Sequence, residues 1–564
     1  MLLMHYQVSK LRICMKLVVI SACLSIAKPG ARLQFIIKNL RSFNWDQNPV
    51  KGFVAWTCKK LLHFLVSYTN SLSGIKVVDG VAFDALARCC QNLSDISLLD
   101  CVNVDLKSLE KIESVRFLSV AGTLSLELHS VSEHWSKLPN LECLDISQTD
   151  FDADAVLKLL SSSQSLKVVC AFDFPDFQED GRFVAYRSNK DKLLITPSTD
   201  IFTSVASLFC NATVNERYVS SNWRTSNNKD QDLNEVMNWL EWILSLSLVR
   251  IAKRNAPDFN NFWLDQGVAL SVCLAESLQE DVQEHAAMAL GNFVFNDERS
   301  IYSVRCAAVI REGGILKLLH LSKSWREVLQ SVAVKALSNL SVNYEAADAI
   351  AECGISIVIN LTRSTFKSIA EDAATVLWNV SAEEHTDAIA EAGGLQALID
   401  LIFKWPIAGD AILECAVAAL ANMAVNYKYC MLAIELGGLN ALVSIVQRCK
   451  YEGALEQVAR ALGNIAAHDN ISNAAPAQEV SALEVLMQLT RSLYDGVREA
   501  VADGLMNLSV YHRKGAAVAA AGGVEALVSL ANSWSDASQS LKEKAAFMLW
   551  GLSVSKTNSI AIGR

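Results

Sequence analysis

A chain of 564 residues with 51% hydrophobic residues, 8 prolines and 25 glycines has the composition of a well-packed, mainly helical protein. That composition excludes a disordered or fibrous chain, and the length leaves room for several domains. The formal net charge of −10 gives no support to nucleic-acid binding, which favours a basic surface.

The first 80 residues contain no repeat and form an unassigned N-terminal segment. Basic residues precede an apolar run, LVVISACLSIA from Leu17 to Ala27, which has the layout of a signal peptide. Against export, N-glycosylation sequons begin at Asn339, Asn379 and Asn507, inside helices that are predicted to be packed. We therefore interpret the apolar run, which is too short to span a bilayer, as a buried helix or an aberrant gene start.

The use of cysteine also favours a reducing compartment. The 15 cysteines include no CxxC pair. Cys353, Cys415 and Cys430 occupy places where small apolar residues belong, so they are predicted to be buried free thiols rather than disulfide partners. The expected location is the nucleus or the cytoplasm.

Residues 81–175 carry a short period. Its four segments begin at Leu93, Val115, Leu141 and Leu166. The LxxLxLxxC form of the first segment resembles the leucine-rich repeat, in which one strand and one helix make a unit. In the third segment Leu141, Leu144 and Ile146 are predicted to point inward. Asp145 and Ser147 would then face the concave side, which serves as a binding platform in such repeats.

Residues 176–232 lose this period, and their turn-rich sequence predicts an irregular linker at a domain boundary. Residues 233–276 resume helical spacing. One face of the first helix there is predicted to carry Val236, Trp239, Leu240, Ile243 and Leu246. Because the apolar end of a solenoid must be shielded, this segment is predicted to be a helical cap.

From residue 277 to residue 564 one phrase, such as KALSNLSV, occurs seven times. Its landmark residues lie 40 to 47 residues apart, at Asn292, Asn339, Asn379, Asn422, Asn464, Asn507 and Gly551. About 14 residues after a landmark stands a glycine or a glycine pair, as at Gly354, Gly393, Gly437 and Gly522. Such glycines supply the positive φ needed for a sharp turn between helices. The unit of short helix, glycine turn, second helix and longer third helix resembles the armadillo repeat.

The predicted fold is therefore mainly α. It is an armadillo-repeat right-handed superhelical solenoid of about seven repeats, the last incomplete, preceded by a short α/β leucine-rich-repeat segment. Ala373, Ala374, Leu377 and Val380 are predicted to form part of the core between repeats. The third helices would line an extended concave groove, which suits a polypeptide better than a small substrate.

The asparagine that ends each phrase is the sharpest candidate site. A side-chain amide offers a donor and an acceptor to the backbone of an extended ligand, and asparagines at this place in armadillo proteins can bind ligands in this way. The alternative is that each amide ties down its own repeat or caps the helix end. The predicted groove floor consists of Asn292, Asn339, Asn379, Asn422, Asn464 and Asn507.

A glutamate stands eight residues before each landmark except at Ser331. These residues are Glu284, Glu371, Glu414, Glu456, Glu499 and Glu543. A peptide-binding groove lined by these acidic side chains would explain the row. The preferred interpretation is that the glutamates lie in the first turn of each third helix, where the helix dipole favours a carboxylate.

Trp378 and Trp550 stand one residue before a landmark. Nuclear-import adaptors of the importin-alpha kind resemble these repeats but carry tryptophan four residues before it, so a nuclear-import receptor is disfavoured. No catalytic, metal or cofactor motif occurs in a suitable context, and we expect no enzyme activity. An enzyme hidden in residues 1–80 or 174–232 is a further hypothesis, but neither segment has the core or the convergent polar set that it would need.

Longer stretches resemble one particular group, the plant ARABIDILLO proteins, which combine an F-box, leucine-rich repeats and armadillo repeats. The similarity extends from about residue 85 to the end. It is carried by NWLEWILS from Asn238, FWLDQGVAL from Phe262, QEDVQEHAA from Gln279, EAGGLQALIDLIFKW from Glu391, AAGGVEALVSLANS from Ala520 and WGLSVSKTNSIAIGR from Trp550. No F-box-like stretch is evident before the leucine-rich repeats, so the chain is expected to be a divergent or truncated relative.

The resemblance implies a nuclear, non-enzymatic adaptor in plant development. An F-box would bind the Skp-type subunit of a cullin ubiquitin ligase, and the repeats would hold the target protein. The alternative is an armadillo scaffold in transcriptional or signalling complexes without a ubiquitin role. Both hypotheses imply protein partners, with no nucleic acid, membrane or cofactor.

Overall fold

The computed structural model describes residues 83, 87, 93–172, 192–209 and 231–560, except for short gaps in the ranges 93–172 and 231–560. The gaps are 102–103, 124–127, 152, 296–297, 383, 406–409, 469–475, 510–518, 520–521, 533–538 and 554–558. The chain forms two compact units, Met1–Ser247 and Leu248–Arg564. We call them the sheet unit and the helical unit. The predictions for residues 1–80 lie outside the described part of the chain.

The sheet unit contains five short parallel strands that neighbour one another in chain order. They are β1 (Asp95–Ser97), β2 (Phe117–Ser119), β3 (Cys143–Asp145), β4 (Val168–Cys170) and β5 (Leu193–Ile195). The helices are α1 (Leu128–Trp135), α2 (Ala153–Ser162) and α3 (Ile201–Phe209), with a 3-10 helix at Leu106–Lys111. This order of strand and connection is the predicted one.

The two faces of this sheet differ in chemistry because side chains alternate along each strand. Leu144 and Ile146, together with Leu141, lie in the buried apolar core, which confirms their inward orientation. The opposite face, which we call the outer face, has two rows set by the strand register. The first row is Asp95, Phe117, Cys143, Val168 and Leu193, and the second is Ser97, Ser119, Asp145, Cys170 and Ile195.

The sheet extends beyond the boundary that was predicted at residue 175. Strand β5 pairs with β4, and α3 follows it, so both elements fall inside the range 176–232 that was predicted as linker. Each strand has only three residues, and the turn-forming residues around Leu193–Ile195 dominate the local composition. A strand of this length leaves too little periodicity to detect.

Long helix α4 (Gln231–Arg254) starts in the sheet unit and ends in the helical unit. Helical turns at Pro257–Phe259, Asn260–Phe262 and Trp263–Gly267 lead into α5 (Val268–Leu274), in the range predicted as the cap. Of the predicted face of α4, Val236, Leu240 and Ile243 are fully buried. Trp239 and Leu246 are half-buried.

The helical unit continues with helices in groups that end in a long third helix. In chain order they are α6 (Glu280–Val294), α7 (Arg299–Arg311), α8 (Gly314–Leu321), α9 (Glu327–Leu340), α10 (Tyr344–Thr362), α11 (Lys367–Ala382), α12 (Thr386–Glu391), α13 (Gly394–Lys404), α14 (Asp410–Met423), α15 (Tyr427–Glu435), α16 (Gly438–Arg448), α17 (Glu452–Ala467), α18 (Pro476–Leu489), α19 (Asp495–Ser509), α20 (Gly523–Asn532) and α21 (Gln539–Ser553). The third helices are α6, α9, α11, α14, α17, α19 and α21. The predicted fold class is thus confirmed.

Third helices pack on one another in series, from α6 to α21. Ala373, Leu377 and Val380 of α11 are fully buried, as is Ala374, and this confirms the predicted core between repeats. Small residues bring the helices closest together. A Cβ atom added to Gly463 would lie 2.7 Å from the Cα of Gly504 on the next third helix, which is closer than any side chain tolerates.

Glycine turns join first and second helices where the glycine is doubled. Gly313, Gly393, Gly437 and Gly522 each have a positive φ, between 76° and 88°. The turn predicted at Gly354 is absent, because α10 runs through it as one helix. Cys353 occupies the place of the left-handed glycine there, and a residue with a Cβ avoids that conformation.

Cys415 and Cys430 are buried free thiols, as predicted. Cys353 is exposed, so the prediction of burial was wrong for it. The reason lies in the turn geometry: at the equivalent Gly393, an added Cβ would meet no atom within 4 Å, so this place points into open space.

No single helix among the described residues has both the length and the hydropathy to cross a membrane. The helices Tyr427–Glu435 and Gly438–Arg448, bent by 72° at their break, have that length and hydropathy only as a pair. No group of three or more His, Cys, Asp or Glu side chains in the described residues is placed to hold a metal ion.

Candidate functional site

The predicted groove asparagines lie near the C-terminal ends of the third helices. Asn292, Asn339, Asn379, Asn422 and Asn464 are all half-buried, one per helix. Asn507 lies in α19, but its side chain is outside the described part of the structure. The helical repeat therefore brings the described asparagines to equivalent places on successive stacked helices.

Four of these side chains donate a hydrogen bond to the preceding repeat. Nδ2 of Asn339 donates to the carbonyl oxygen of Gly291 at 3.0 Å, and Nδ2 of Asn464 donates to that of Ala421 at 2.8 Å. Nδ2 of Asn379 donates to Oγ of Ser341 at 2.9 Å, and Nδ2 of Asn422 to Oγ of Ser381 at 3.0 Å. The last carbonyls of a helix lack partners within it, and the bonds to Gly291 and Ala421 satisfy two of them. The bonds to Ser341 and Ser381 reach hydroxyl groups at the same end of the previous third helix.

Asn292 differs from the others, because its Nδ2 is buried and has no hydrogen-bond partner among the described residues. A third helix comparable to α9 or α11 does not precede α6 in the described part of the helical unit. A buried amide without a partner costs about 1–3 kcal/mol. Asn292 thus carries an amide donor without a partner among the described residues, whereas Asn339, Asn379, Asn422 and Asn464 bond the same donor to the preceding repeat.

The side-chain oxygens of these asparagines are bonded less regularly than their N–H groups. Oδ1 of Asn422 accepts from the guanidinium of Arg460 at 3.0 Å, and the same group donates to the carbonyl of Ala418 at 3.1 Å. No described group donates to Oδ1 of Asn339 or Asn464. Half-buried acceptors such as those of Asn339 and Asn464 are what the backbone N–H groups of an extended ligand require.

Four residues before the landmark, the third helices carry side chains that vary in chemistry. Lys335 is exposed and pairs with Asp372 at 3.1 Å, while Arg460 is exposed and contacts Asn422. Asp503 pairs with Lys544 at 2.6 Å. Three of the seven places in this row hold a charged residue, Lys335, Arg460 and Asp503, and the others hold uncharged ones.

The glutamate row lies in the second turn of the third helices and not in the first, as was predicted. Each of these glutamates is the fifth residue of its helix, since every third helix begins earlier than expected. The carboxylate of Glu414 is packed against Gly453, where an added Cβ would lie 2.7 Å from it. Glu456 approaches Gly496 in the same way at 3.1 Å.

These contacts relate each carboxylate to the next repeat. Gly453 and Gly496 are the second residues of α17 and α19, so the carboxylates lie beside the positive ends of those helices. Glu284 instead lies 3.5 Å from Arg326, which precedes α9. Burial raises the pKa of Glu284, and the charge of Arg326 opposes that rise. The row therefore supports the stacking of repeats.

A second exposed surface, which the sequence analysis missed, lies where second helices lead into third helices. Ser277, Ser324, Ser364 and Ser492 each accept, through Oγ, a hydrogen bond from the backbone N–H two residues later. This local turn projects the next side chain outward. Leu278, Trp325 and Leu493 are 86%, 81% and 92% exposed. A serine 15 residues before the landmark was the available signal.

The comparisons with known proteins agree with this architecture. A family model described as armadillo/beta-catenin-like repeat matches residues 426–467. The chain is 48% identical over 480 residues to the protein ARABIDILLO 2 of Arabidopsis thaliana, a match that covers 84% of this chain and 51% of that protein. It is 47% identical over 464 residues to ARABIDILLO 1 of the same plant, covering 81% of this chain and 49% of that protein.

The chain thus spans about half the length of these curated relatives. Among solved structures, a designed armadillo repeat protein in complex with the peptide (KR)4 matches with 23% identity and a TM-score of 0.38. That match covers 42% of this chain and 99% of the designed protein.

Proposed function

The chain is an armadillo-repeat protein related to the ARABIDILLO proteins, and we propose that it is a non-enzymatic scaffold whose third helices hold an extended polypeptide. The observation that carries this proposal is the series of half-buried asparagines on stacked third helices. Four of these asparagines use their N–H within the protein, which fixes the orientation of the amide. The oxygens of Asn339 and Asn464 can then meet the backbone N–H groups of a bound chain.

The groove is proposed to select its ligand through the row four residues before the landmark. Lys335 and Arg460 place cations on exposed parts of two third helices. A bound polypeptide with acidic side chains near these places would gain charge-assisted contacts, whereas a basic polypeptide would be repelled. The surface charge varies along the unit, so the ligand is expected to be read by position.

Capture from plant cell extract with the full chain, followed by mass spectrometry and binding of the purified hits, tests the groove. We expect the double variant Lys335→Glu and Arg460→Glu to lose specific partners. The control variant Arg448→Glu, on the exposed surface of a second helix, should retain them. Equal loss in both variants, or no loss in either, would argue against a groove on the third helices.

The finer proposal is a substrate-recognition adaptor of a cullin ubiquitin ligase that acts in the nucleus or the cytoplasm during plant development. Its support is the relation to the ARABIDILLO proteins, and a Skp-type subunit is the partner that this role requires. Binding of a purified Skp-type subunit to the full chain, measured by calorimetry, is the test. Absence of binding would favour the second candidate, a scaffold in transcriptional or signalling complexes without a ubiquitin role.

A further inference from the structure

The turns that join second helices to third helices form an edge of the helical unit, which we call the turn edge. Its described members are residues 277–279, 324–326, 364–366, 449–451 and 492–494. Each begins with a serine whose Oγ accepts the N–H two residues later, except that Cys449 accepts from Tyr451 through Sγ at 3.4 Å. The groove asparagines stand at the other end of the third helices, roughly 20 Å away along the helix. The turn edge is therefore a separate surface from the groove.

These turns are tied to the third helices that follow them. The fourth residue of a third helix donates a hydrogen bond back to a carbonyl oxygen in the turn or just before it. Such bonds join Gln283 to Ser277 at 2.8 Å, Gln330 to Ser322 at 2.9 Å and Arg498 to Ser492 at 3.1 Å. A surface that is already ordered loses little conformational entropy when a partner binds.

Successive turns also contact one another. Hydrogen bonds connect a turn, or the helix end beside it, to the corresponding part of the preceding repeat. They run from Arg326 to the carboxylate of Glu280 at 3.0 Å, from Lys404 to the carbonyl of Ser364 at 2.5 Å and from the Tyr494 hydroxyl to the carbonyl of Lys450 at 3.0 Å. The turns are thus neighbours along one edge of the stack.

Every described turn exposes a large apolar or aromatic side chain. It stands one or two places after the serine or Cys449, and the set consists of Leu278, Trp325, Phe366, Tyr451, Leu493 and Tyr494. Single exposed apolar residues are common on soluble proteins. A row at equivalent places in stacked repeats is instead typical of an interaction surface.

A cation stands directly before the serine or Cys449 in four of the five turns. These residues are Lys323, Arg363, Arg448 and Arg491, and all four are exposed. None of them forms an ion pair with a described residue. The first turn has Glu276 there, which pairs with Lys317. Residues 323–327, 363–367, 448–452 and 491–495 together contain seven cations and three acids, although the whole chain has a net charge of −10.

The helix dipole favours a cation at the end of each second helix, which accounts for the place of these residues. It does not account for an exposed tryptophan or leucine two residues later, as at Trp325 and Leu493. Unpaired cations beside exposed apolar side chains complement a partner that carries both acidic and apolar side chains.

We propose that the turn edge is a second docking surface, and that it binds an acidic polypeptide segment that carries apolar side chains. The cations attract the segment, and the apolar contacts supply most of the affinity. A nucleic acid fits less well, because bases stack on aromatic rings and Leu278 and Leu493 offer none. The proposal does not rest on the groove. Because the two surfaces lie at opposite ends of the third helices, the scaffold can hold two segments at once.

Fluorescence anisotropy of a labelled random copolymer of glutamate and tyrosine, titrated with the full chain, tests this proposal. We expect the copolymer to bind, and polyglutamate of the same length to bind about tenfold more weakly because it lacks apolar side chains. The double variant Arg363→Glu and Arg491→Glu should weaken binding of the copolymer by about tenfold. Trp325→Ser with Leu493→Ser should abolish the preference for the copolymer over polyglutamate. Arg448 stays unchanged, because its variant is the control for the groove.

The matched control Arg299→Glu and Lys428→Glu reverses two exposed cations on first helices. It should bind the copolymer as the unmodified protein does. The proposal is wrong if the copolymer does not bind, or if this control loses as much binding as the turn-edge charge variant. It is also wrong if only Lys335→Glu with Arg460→Glu loses the copolymer, since the groove would then be its site. Tighter binding of polyuridylate than of the copolymer, lost in the turn-edge charge variant, would assign the surface to nucleic acid instead.

Discussion

The sheet unit and the helical unit use polar side chains on their candidate binding faces in opposite ways. In the sheet unit, Asp145 and its serine partners lie on a face that is buried. In the helical unit, Asn339 and Asn464 lie on a face that remains half-exposed, although each amide is already bonded to the preceding repeat. Periodicity therefore identifies the face on which a residue lies, but it does not show whether that face is open.

The strongest test of this difference is Gly463→Val. An added side chain would collide with the backbone of Gly504, and overpacking of this kind costs about 3 kcal/mol or more. Because repeats contact only their neighbours, hydrogen exchange should increase in α17 and α19 and remain unchanged around Cys143. Gly496→Ala is the control, since its Cβ would meet only the movable ends of Glu456 and Glu452. Faster exchange around Cys143 would show that the damage spreads beyond the neighbouring repeats.

A smaller effect separates the first landmark from a later one. Asn464→Ala removes the bond to Ala421 and should lower the free energy of unfolding of α17 by about 1–2 kcal/mol. Asn292→Ala removes a buried donor without a partner and should be neutral or stabilising. Hydrogen exchange of α6 and α17 measures both changes. Equal destabilisation would mean that Asn292 has a partner in solution.

Gly393 and Cys353 occupy equivalent positions in their repeats, but alanine at the two places should differ by about 1 kcal/mol in its effect on the free energy of unfolding. Gly393 has a φ of 81°, so Gly393→Ala should destabilise its repeat by about that amount. Cys353 occupies the corresponding place in the continuous helix α10, and Cys353→Ala should have no measurable cost. Thermal unfolding of the two variants compares them directly. The interpretation of α10 fails if Cys353→Ala is the more damaging change.

The smallest effect is a difference in pH dependence between the units. Burial acts to raise the pKa of Glu142, but hydrogen bonds from Arg116 and Lys167 overcome it and leave the pKa below its ordinary value. Its contribution to stability is present above the unfolded pKa of 4.5 and is lost as the pH falls through the folded pKa. The raised pKa of Glu284 has the opposite effect on stability, because protonation of this buried carboxylate stabilises the helical unit as the pH falls.

Glu142→Gln should therefore destabilise the sheet unit at neutral pH, and the loss should disappear in acid. Glu284→Gln should slightly stabilise the helical unit at neutral pH, with no effect in acid. Hydrogen exchange at several pH values resolves the two units separately. The same trend in both variants would contradict the assigned causes.

Repetition made the helical unit predictable from sequence. The core residues Ala373 and Leu377 and the doubled glycines are repeated in register, so each occurrence supports the others. The turn predicted at Gly354 was wrong because the pattern was recognised from one glycine. The residue that must adopt a positive φ is the first of the pair, and Cys353 stands there. The partners of the groove asparagines were left open, because a hydrogen bond between repeats depends on packing that no local pattern encodes.

The sheet unit was harder to predict beyond its strands. The inward positions of Leu141, Leu144 and Ile146 follow from alternation and were found. The burial of Asp145 was missed, since it depends on what covers the outer face and not on β3 itself. Strand β5 was missed because three residues carry almost no periodic signal.

The asparagine bonds between repeats all have the same direction along the chain. From Asn339 to Asn464, the donor belongs to the later repeat and the acceptor to the earlier one. During synthesis on a ribosome, the acceptor for each asparagine has therefore been translated before the asparagine itself. The amide of a new third helix can form its bond as soon as that helix folds. Growth of this solenoid from its N-terminal end can satisfy each amide in turn as the nascent chain lengthens.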